Sequence, residues 1–135
     1  MILLDGIENE TEDSIVCSVT LHAGSPFAEN GRVPVLVATE YMAQCVAAHA
    51  GLRAFRRCTP IRIGYLIGAR RIDFSIPAFV VPETLIVRAT RVWGDDSLGQ
   101  YRCSVELAGH PVSTAVLNVF QGDIDQRSGQ REVAL

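Results

Sequence analysis

Residues 35–53, VLVATEYMAQCVAAHAGLR, decide the fold of this chain. The run is rich in residues that favour helix, it ends near Gly51, and Arg53 places a cation at the end where it suits the helix dipole. Pro34 stands directly before the run, where the missing N–H of proline leaves no helical hydrogen bond unmade. These features predict one helix from Val35 to Arg53. Because apolar side chains surround nearly its whole circumference, other elements must wrap it.

The composition is that of one globular domain. The chain has 135 residues, of which 48% are hydrophobic and 20% charged, which suits a single core and is too short for two domains. The formal net charge of −3 provides no basic surface, so we expect no nucleic-acid partner.

The apolar run, the first residues and the cysteines indicate in which compartment the protein is expected. Glu40, Gln44 and His49 interrupt the most apolar stretch, so the sequence predicts no membrane span. The first residues carry no basic segment of the kind that opens a signal peptide. The four cysteines stand apart without CxxC spacing, which indicates reduced thiols and neither a disulfide framework nor a zinc site. We therefore expect a soluble, cytoplasmic protein without a metal site.

The segments on either side of the helix predict an antiparallel sheet. Ile2–Ile7 is short and apolar, Ser14–His22 alternates with a period of two, and together they predict a hairpin around an acidic turn. Residues 23–34 have the composition of a loop. Short turns join the later candidate strands into a meander of three or four strands, which implies antiparallel pairing. These later strands are Ile61–Phe74, Thr84–Trp93, Gly99–Leu107 and Val112–Phe120.

A long antiparallel sheet curled around one apolar helix is the hotdog fold, an α+β architecture. We expect residues 1–121 to form this domain, and the polar, unpatterned residues 122–135 to form a flexible tail. Such a domain leaves a sheet edge and one flank of the helix open, so we also expect a dimer.

Glu40 is the leading candidate for chemistry. It is a carboxylate in an otherwise apolar helix, where charged residues are seldom buried without a function. Burial favours the protonated form, which suits a general acid. Gln44 follows one turn later on the same face, where it could orient Glu40 or a substrate. The alternative is that Glu40 reaches solvent or an arginine at a dimer interface.

The histidines differ in their distance from that face of the helix. His49 lies nine residues after Glu40, and at ~100° per residue it falls on the opposite side, so we expect a core or interface histidine. His22 ends the second strand just before the loop that leads to the helix, which makes it a candidate catalytic residue or a solvated edge residue. His110 stands in a turn and is expected at the surface.

Asn30 and Gly31 precede the helix N-terminus. Backbone N–H groups there, with the positive end of the dipole, can polarise a thioester carbonyl. Gly31 would let a substrate approach the backbone closely, so both residues are candidate substrate contacts. The alternative is that Asn-Gly is an ordinary turn.

Several segments together resemble the beta-hydroxyacyl-acyl-carrier-protein dehydratases, closest to the ApeP-like branch associated with aryl polyene pigment clusters. The Glu-x-Met-Ala-Gln string is the most specific part, and the similarity extends to about Gln121. The later segments resemble the long third strand of that family and the turn after it. The matching segments are Ser25-Pro26-Phe27, Asn30-Gly31-Arg32-Val33-Pro34, Glu40-Tyr41-Met42-Ala43-Gln44, Gly64–Phe74 and Val80–Leu85.

The resemblance implies a hydro-lyase reaction in which a histidine removes an alpha proton of a 3-hydroxyacyl thioester. A helix carboxylate, here Glu40, helps the 3-hydroxyl leave as water, and the two catalytic groups come from opposite subunits. The acyl chain is carried on the phosphopantetheine arm of an acyl carrier protein or coenzyme A, without a further cofactor. This chain departs from the family in two places. In one loop Gly-His-Phe-Pro-Gly is replaced by residues 28–33, which contain no histidine, so that only His22 could act as the base. The resemblance also implies a Pro-His element just before the segment that matches Met1–Asp5, and the printed sequence does not contain it.

Three functions therefore stay open. The leading one is dehydration of acyl-carrier thioesters in fatty acid, polyene or polyketide biosynthesis. The second is an acyl thioesterase in which Glu40 activates water or attacks the thioester, which does not need the missing histidine. The third is a non-catalytic acyl-binding subunit that completes the site of a partner. The resemblance allows either a homodimer or a heterodimer with another hotdog chain.

Overall fold

The computed structural model describes residues 1–59, 64–95 and 98–121. In these ranges the chain forms one helix and eight strands. In chain order they are β1 (Gly6–Glu10), β2 (Ser14–Leu21), β3 (Arg32–Pro34), α1 (Val37–Arg56), β4 (Gly64–Phe74), β5 (Ala78–Val80), β6 (Glu83–Gly94), β7 (Leu98–Leu107) and β8 (His110–Gln121).

Six strands form one antiparallel sheet in the order β1-β2-β6-β7-β8-β4. The predicted hairpin and the meander of the last three strands are confirmed. Of the two predicted sizes of the meander, three strands is therefore correct and four is wrong, because β4 pairs with β8 at the far edge of the sheet. The chain between β4 and β6 leaves this sheet to form β5, which separates the two strands. The hotdog fold itself is confirmed.

The start of the helix differs from the prediction because β3 and β5 form a small second sheet. Pro34 pairs with Ala78 there, and the Val35 N–H donates to the Pro77 carbonyl at 3.1 Å. Pro34 therefore ends a strand, and α1 begins at Val37 without a side-chain cap. This pairing joins segments about forty residues apart in sequence, so local composition does not reveal it.

The first strand is also displaced from its predicted position. β1 covers residues 6–10, so three residues of the predicted acidic turn belong to the strand, and the turn shrinks to residues 11–13. The Thr11 N–H donates to the Ser14 carbonyl at 2.8 Å and closes it. The apolar residues expected in the strand instead lead from the sheet to the helix. Of these residues, Leu3 is buried in the core and its N–H bonds to Gln44 of the helix, whereas Ile7 in β1 still pairs with β2.

The core lies between the inner face of the sheet and one flank of α1. Alternate residues of the strands point inward, as the period-two pattern predicts. Burying one large apolar side chain stabilises a fold by about 1.5–3 kcal/mol. Several side chains of α1 are buried against the sheet, so packing of this helix stabilises the sheet. The helix residues buried in this core are Ala38, Tyr41, Met42, Cys45, Val46 and His49.

The opposite flank of α1 is not covered within one chain. Leu36 is 69% exposed, Phe55 is 74% exposed, and Glu40 and Ala47 are also exposed. The helix is therefore wrapped on one side only, and its apolar composition continues onto the uncovered side.

The described residues can also be compared with the sequence for membrane-spanning helices, cysteine pairing and metal ligands. No described helix is long and apolar enough to cross a membrane. All four cysteines are free thiols, and the described residues contain no group of ligands that could hold a metal ion. The predicted strand residues 61–63, the turn residues 96–97 and the tail at 122–135 lie outside the described residues.

Candidate functional site

Glu40 lies in the first turn of α1, in an open pocket of about 300 Å³ on the uncovered flank of the helix. A carboxylate near a helix N-terminus is favoured by the helix dipole. The burial expected for Glu40 is not found within one chain, since the sheet covers the other flank and the side chain is exposed. One acid and one amide stand in an otherwise apolar wall. The pocket is lined by Met1, Leu3, Phe27, Val37, Glu40 and Gln44.

Gln44 stands one turn after Glu40, and the expected contact between them is present. Its Nε2 donates to Glu40 Oε1 at 3.3 Å and also to the Met1 carbonyl at 2.8 Å. Its Oε1 accepts from the Leu3 N–H at 2.8 Å. The amide therefore joins the carboxylate to the start of the chain. Its role as a substrate contact stays a prediction.

Phe27 reaches the pocket from a strained turn. The Ala28 N–H donates to the Ser25 carbonyl at 3.0 Å, Pro26 follows Ser25, and Phe27 has a φ of 68°. These are the features of a type II turn, whose third position usually holds glycine. A bulky residue in the left-handed region costs about 1–3 kcal/mol and persists where the surroundings hold it. Here the strained residue lies against the candidate site.

His22 does not line this pocket. It is exposed just beyond β2, where its Nδ1 accepts from the Gly24 N–H at 3.1 Å and its own N–H donates to Ser25 Oγ at 2.9 Å. The ring therefore supports the turn that leads towards Phe27. Within one chain, the structure does not bring His22 into the group around Glu40 and Gln44.

Asn30 and Gly31 form a tight hairpin turn. Their φ values are 54° and 74°, and Glu29 and Arg32 exchange two backbone hydrogen bonds of 2.8 and 3.1 Å. Positive φ at both central residues defines a type I′ turn, which Asn-Gly favours most strongly. The two residues were expected to lead directly into the helix, but β3 lies between. The turn explains this dipeptide, while its contact with a substrate stays a prediction.

His49 is a core residue, as its position on the helix predicts. Its ring is fully buried, with Nε2 donating to the Thr11 carbonyl at 3.2 Å and Nδ1 accepting from the Tyr101 hydroxyl at 2.8 Å. A carbonyl only accepts, so this pairing fixes the neutral tautomer. Burial is the main cause that lowers the pKa of His49, and it raises the pKa of Tyr101 to about 12. His110 is exposed at the start of β8.

Sequence reasoning missed the apolar wall of the site. Leu3 lies in a segment predicted as strand and Phe27 in a segment predicted as loop, while Met1 precedes the predicted strand. One signal was available: a phenylalanine directly after proline, in a loop otherwise made of small and polar residues, has no local reason to be there.

The architecture is similar to that of known proteins. A family model described as ApeP-like, ApeP dehydratase, matches residues 1–130. A structure described as the dehydratase heterocomplex ApeI:P from Xenorhabdus doucetiae superposes with a TM-score of 0.88 at 22% identity, over 99% of this chain and 90% of that chain. The chain matches no curated protein.

Two further structures share the fold at lower similarity. A hypothetical thioesterase with coenzyme A from Streptococcus pneumoniae TIGR4 has a TM-score of 0.68 at 12% identity, over 89% of this chain and 96% of that chain. The PaaI protein from the phenylacetic acid degradation operon of E. coli has a TM-score of 0.69 at 15% identity, over 88% of this chain and 79% of that chain. At these identities the likeness concerns the fold alone.

Proposed function

The chain belongs to the ApeP-like dehydratase family, and on that premise we propose that it takes part in the dehydration of 3-hydroxyacyl thioesters, with Glu40 as the acid. The observation that carries the proposal is the Glu40 carboxylate in a pocket whose other walls are apolar except for Gln44. Apolar walls suit an acyl chain. Glu40 is the carboxylate in this pocket that would protonate the hydroxyl of that chain.

The reaction needs two proton movements. A base removes the alpha proton, the carbon–oxygen bond at C3 breaks, and a double bond forms between C2 and C3. Glu40 gives its proton to the departing hydroxyl, which leaves as water. A well-placed general acid contributes about 10²- to 10⁴-fold to such a step. The thioester carbonyl is proposed to lie near the start of α1, where the positive end of the helix dipole would polarise it. The Ala38 and Thr39 N–H groups already donate to the Val35 and Leu36 carbonyls at 2.9 and 3.1 Å, so this effect rests on the dipole and not on those two groups.

The base is proposed to come from a second hotdog chain. The protein has three histidines, all in the described residues, and none of them lines the Glu40 pocket. The exposed flank of α1 is the surface that such a partner would cover, which would also exclude water from Glu40. The similar Xenorhabdus doucetiae structure is described as a heterocomplex, which supports a partner of this kind. A homodimer in which His22 crosses the interface is the other arrangement to test.

The carrier and the location are part of the same proposal. We propose an acyl-carrier-protein thioester, carried on its phosphopantetheine arm, as substrate, in the biosynthesis of a fatty acid, aryl polyene or polyketide. The reaction would take place in the cytoplasm and need no cofactor beyond that arm.

The test follows the acyl group by intact mass. The purified chain, alone and with any hotdog chain that co-purifies with it, is incubated with a 3-hydroxyacyl-carrier protein. We expect loss of water, reduced at least about 100-fold by Glu40→Gln because the acid is removed. Glu29→Gln, which changes an exposed carboxylate in the hairpin turn, is the matched control and should leave the rate unchanged. Equal water loss by wild type and Glu40→Gln would contradict the role of Glu40.

Hydrolysis is a second candidate because Glu40 is exposed and has no histidine beside it. A lone carboxylate can activate water without a second base. The same mass measurement separates the two reactions: dehydration removes water and leaves the chain on the carrier, whereas hydrolysis releases the whole acyl group and leaves a free thiol. An unchanged acyl group in every mixture would favour an acyl-binding subunit without its own chemistry.

A further inference from the structure

The amide of Gln44 is already engaged within the chain. Both N–H donors of its Nε2 have partners, the Met1 carbonyl and Glu40 Oε1, and its Oε1 accepts from the Leu3 N–H. A glutamine side chain has two donors and one acceptor oxygen. A substrate could therefore take a donor from Gln44 only by displacing one of these partners.

The segment that Gln44 holds is residues 1–5, here called the N-terminal strap. At residue 5 the strap is fixed to β2: the Asp5 N–H donates to the Ser18 carbonyl at 2.8 Å, and Asp5 Oδ2 accepts from the Thr20 N–H at 2.5 Å. At residues 1 and 3 the strap contacts α1, through the hydrogen bonds of the Met1 carbonyl and the Leu3 N–H with Gln44. The strap thus spans from the sheet to the helix and is held at both ends by hydrogen bonds.

Leu3 in the middle of the strap and Met1 at its start differ in how firmly packing holds them. Leu3 is 9% exposed and belongs to the core, but Met1 is 86% exposed and gains little from packing. Both residues line the pocket beside Glu40. Because packing does not hold Met1, its position over the pocket depends on the hydrogen bond from Gln44.

We infer that Gln44 is a positioning residue: it fastens the strap across the open flank of α1, so that Met1 and Leu3 form the wall against which an acyl chain lies beside Glu40. This inference rests on the proposed function for the identity of the ligand. The same amide restrains the Glu40 carboxylate through Nε2. Gln44 therefore acts on substrate through the strap and through Glu40, and not by direct contact.

This role predicts an effect on acyl-chain selectivity. Each methylene group covered by an apolar wall contributes about fourfold to binding, from about 0.8 kcal/mol per group. Loosening the strap should weaken the binding of long acyl chains more than that of short ones. A residue needed only for folding would weaken both equally.

The experiment compares Gln44→Met, which keeps the length of the side chain but makes none of the three hydrogen bonds, with wild type. Binding is measured for acyl-pantetheine thioethers of four and eight carbons, which neither dehydrate nor hydrolyse. We expect the preference of wild type for the longer probe to fall at least about fourfold in the variant. Gln100→Met is the matched control, because Gln100 pairs with Asn118 on the outer face of the sheet.

Exchange of the Leu3 amide proton, followed by NMR, tests the strap without any ligand. We expect faster exchange in Gln44→Met and no change in Gln100→Met. Unchanged exchange, or equal loss of both probes, would overturn the inference, as would wild type that binds neither probe. Because the probes do not react, a protein that binds them with the expected selectivity but never dehydrates a substrate would refute the proposed function alone.

Discussion

The two flanks of α1 are both largely apolar but have opposite surroundings. On the flank packed against the sheet, Tyr41 is 1% exposed and His49 is fully buried. On the other flank Leu36 is 69% exposed, and Glu40 and Ala47 face outward. The packed flank therefore carries stability, and the open flank is available for ligand and partner. Their polar residues differ in the same way, since both ring nitrogens of His49 are paired within the core, whereas Glu40 stays accessible.

The largest expected effect lies on the packed flank. Met42 is fully buried, and Met42→Ala should lower the free energy of unfolding by about 2–5 kcal/mol, because it removes apolar contacts and leaves a cavity. Urea denaturation measures the change. Val37→Ala, at a half-buried position of the open flank, should be clearly milder. Equal losses would remove the distinction between the flanks.

A charge on the open flank should affect assembly and not folding. Ala47→Arg places a cation where we propose that a second hotdog chain packs, and it should weaken association at least about tenfold, or 1.4 kcal/mol. The free energy of unfolding of the separate chain should change by less than about 0.5 kcal/mol. Sedimentation over a range of concentrations gives the association constant. Thr84→Arg, on the outer face of β6, is the control and should leave association unchanged.

The buried His49 predicts a loss of stability in mild acid. Because burial lowers its pKa below the ordinary 6.5 in the folded chain, the unfolded chain takes up the proton first as the pH falls. The stability that neutral His49 contributes is fully present above pH 6.5 and declines below it, at no more than about 1.4 kcal/mol per pH unit for one proton. Denaturation between pH 7.5 and 5 should show a flatter profile in His49→Gln. Parallel profiles would exclude His49 as the cause.

The effect expected for His49 is separate from the titration of Glu12. Hydrogen bonding to Arg57 is the main cause that lowers the pKa of Glu12 below its ordinary 4.5, so its contribution is present above that value and is lost at more acid pH. A fall in stability above pH 5 is therefore separate from the titration of Glu12.

The smallest effect concerns the strained turn at the pocket. Phe27→Gly should be more stable than Phe27→Ala by about 1 kcal/mol, because glycine relieves the left-handed backbone whereas alanine does not. Both variants should bind the eight-carbon probe less well than wild type, since both remove the same wall. Thermal unfolding orders their stabilities. An alanine variant as stable as the glycine variant would show that the turn is not strained.

Much of the fold could be predicted from the sequence because its signals are local. The composition of residues 35–53 indicates a helix wrapped by a sheet, and the period of two identifies β2 and β6. The angle between Glu40 and His49 around the helix predicts their opposite sides and identifies the core histidine, but it does not predict that Glu40 is exposed. Each of these inferences uses residues within a few turns or one strand of each other.

The remaining features depend on pairings that sequence position does not reveal. Pro34 lies in a strand because it pairs with Ala78. The Leu3 N–H donates to Gln44, which is 41 positions away in the sequence. The pocket therefore contains residues that a local pattern assigns to a strand and a loop. The place of β4 is another such case, because the strand next to it is the last in the chain.

That place of β4 has a consequence for biosynthesis. During translation β4 emerges well before β8, yet β8 is its neighbour in the sheet, from Phe74 paired with Ser113 to Gly64 paired with Gln121. A nascent chain that ends after β7 holds β4 with no strand of its own sheet beside it. Unpaired strands are sites of aggregation, so the ribosome-bound intermediate is the vulnerable form of this protein. The pairing of β4 within the sheet therefore has to wait until β8 has been synthesised.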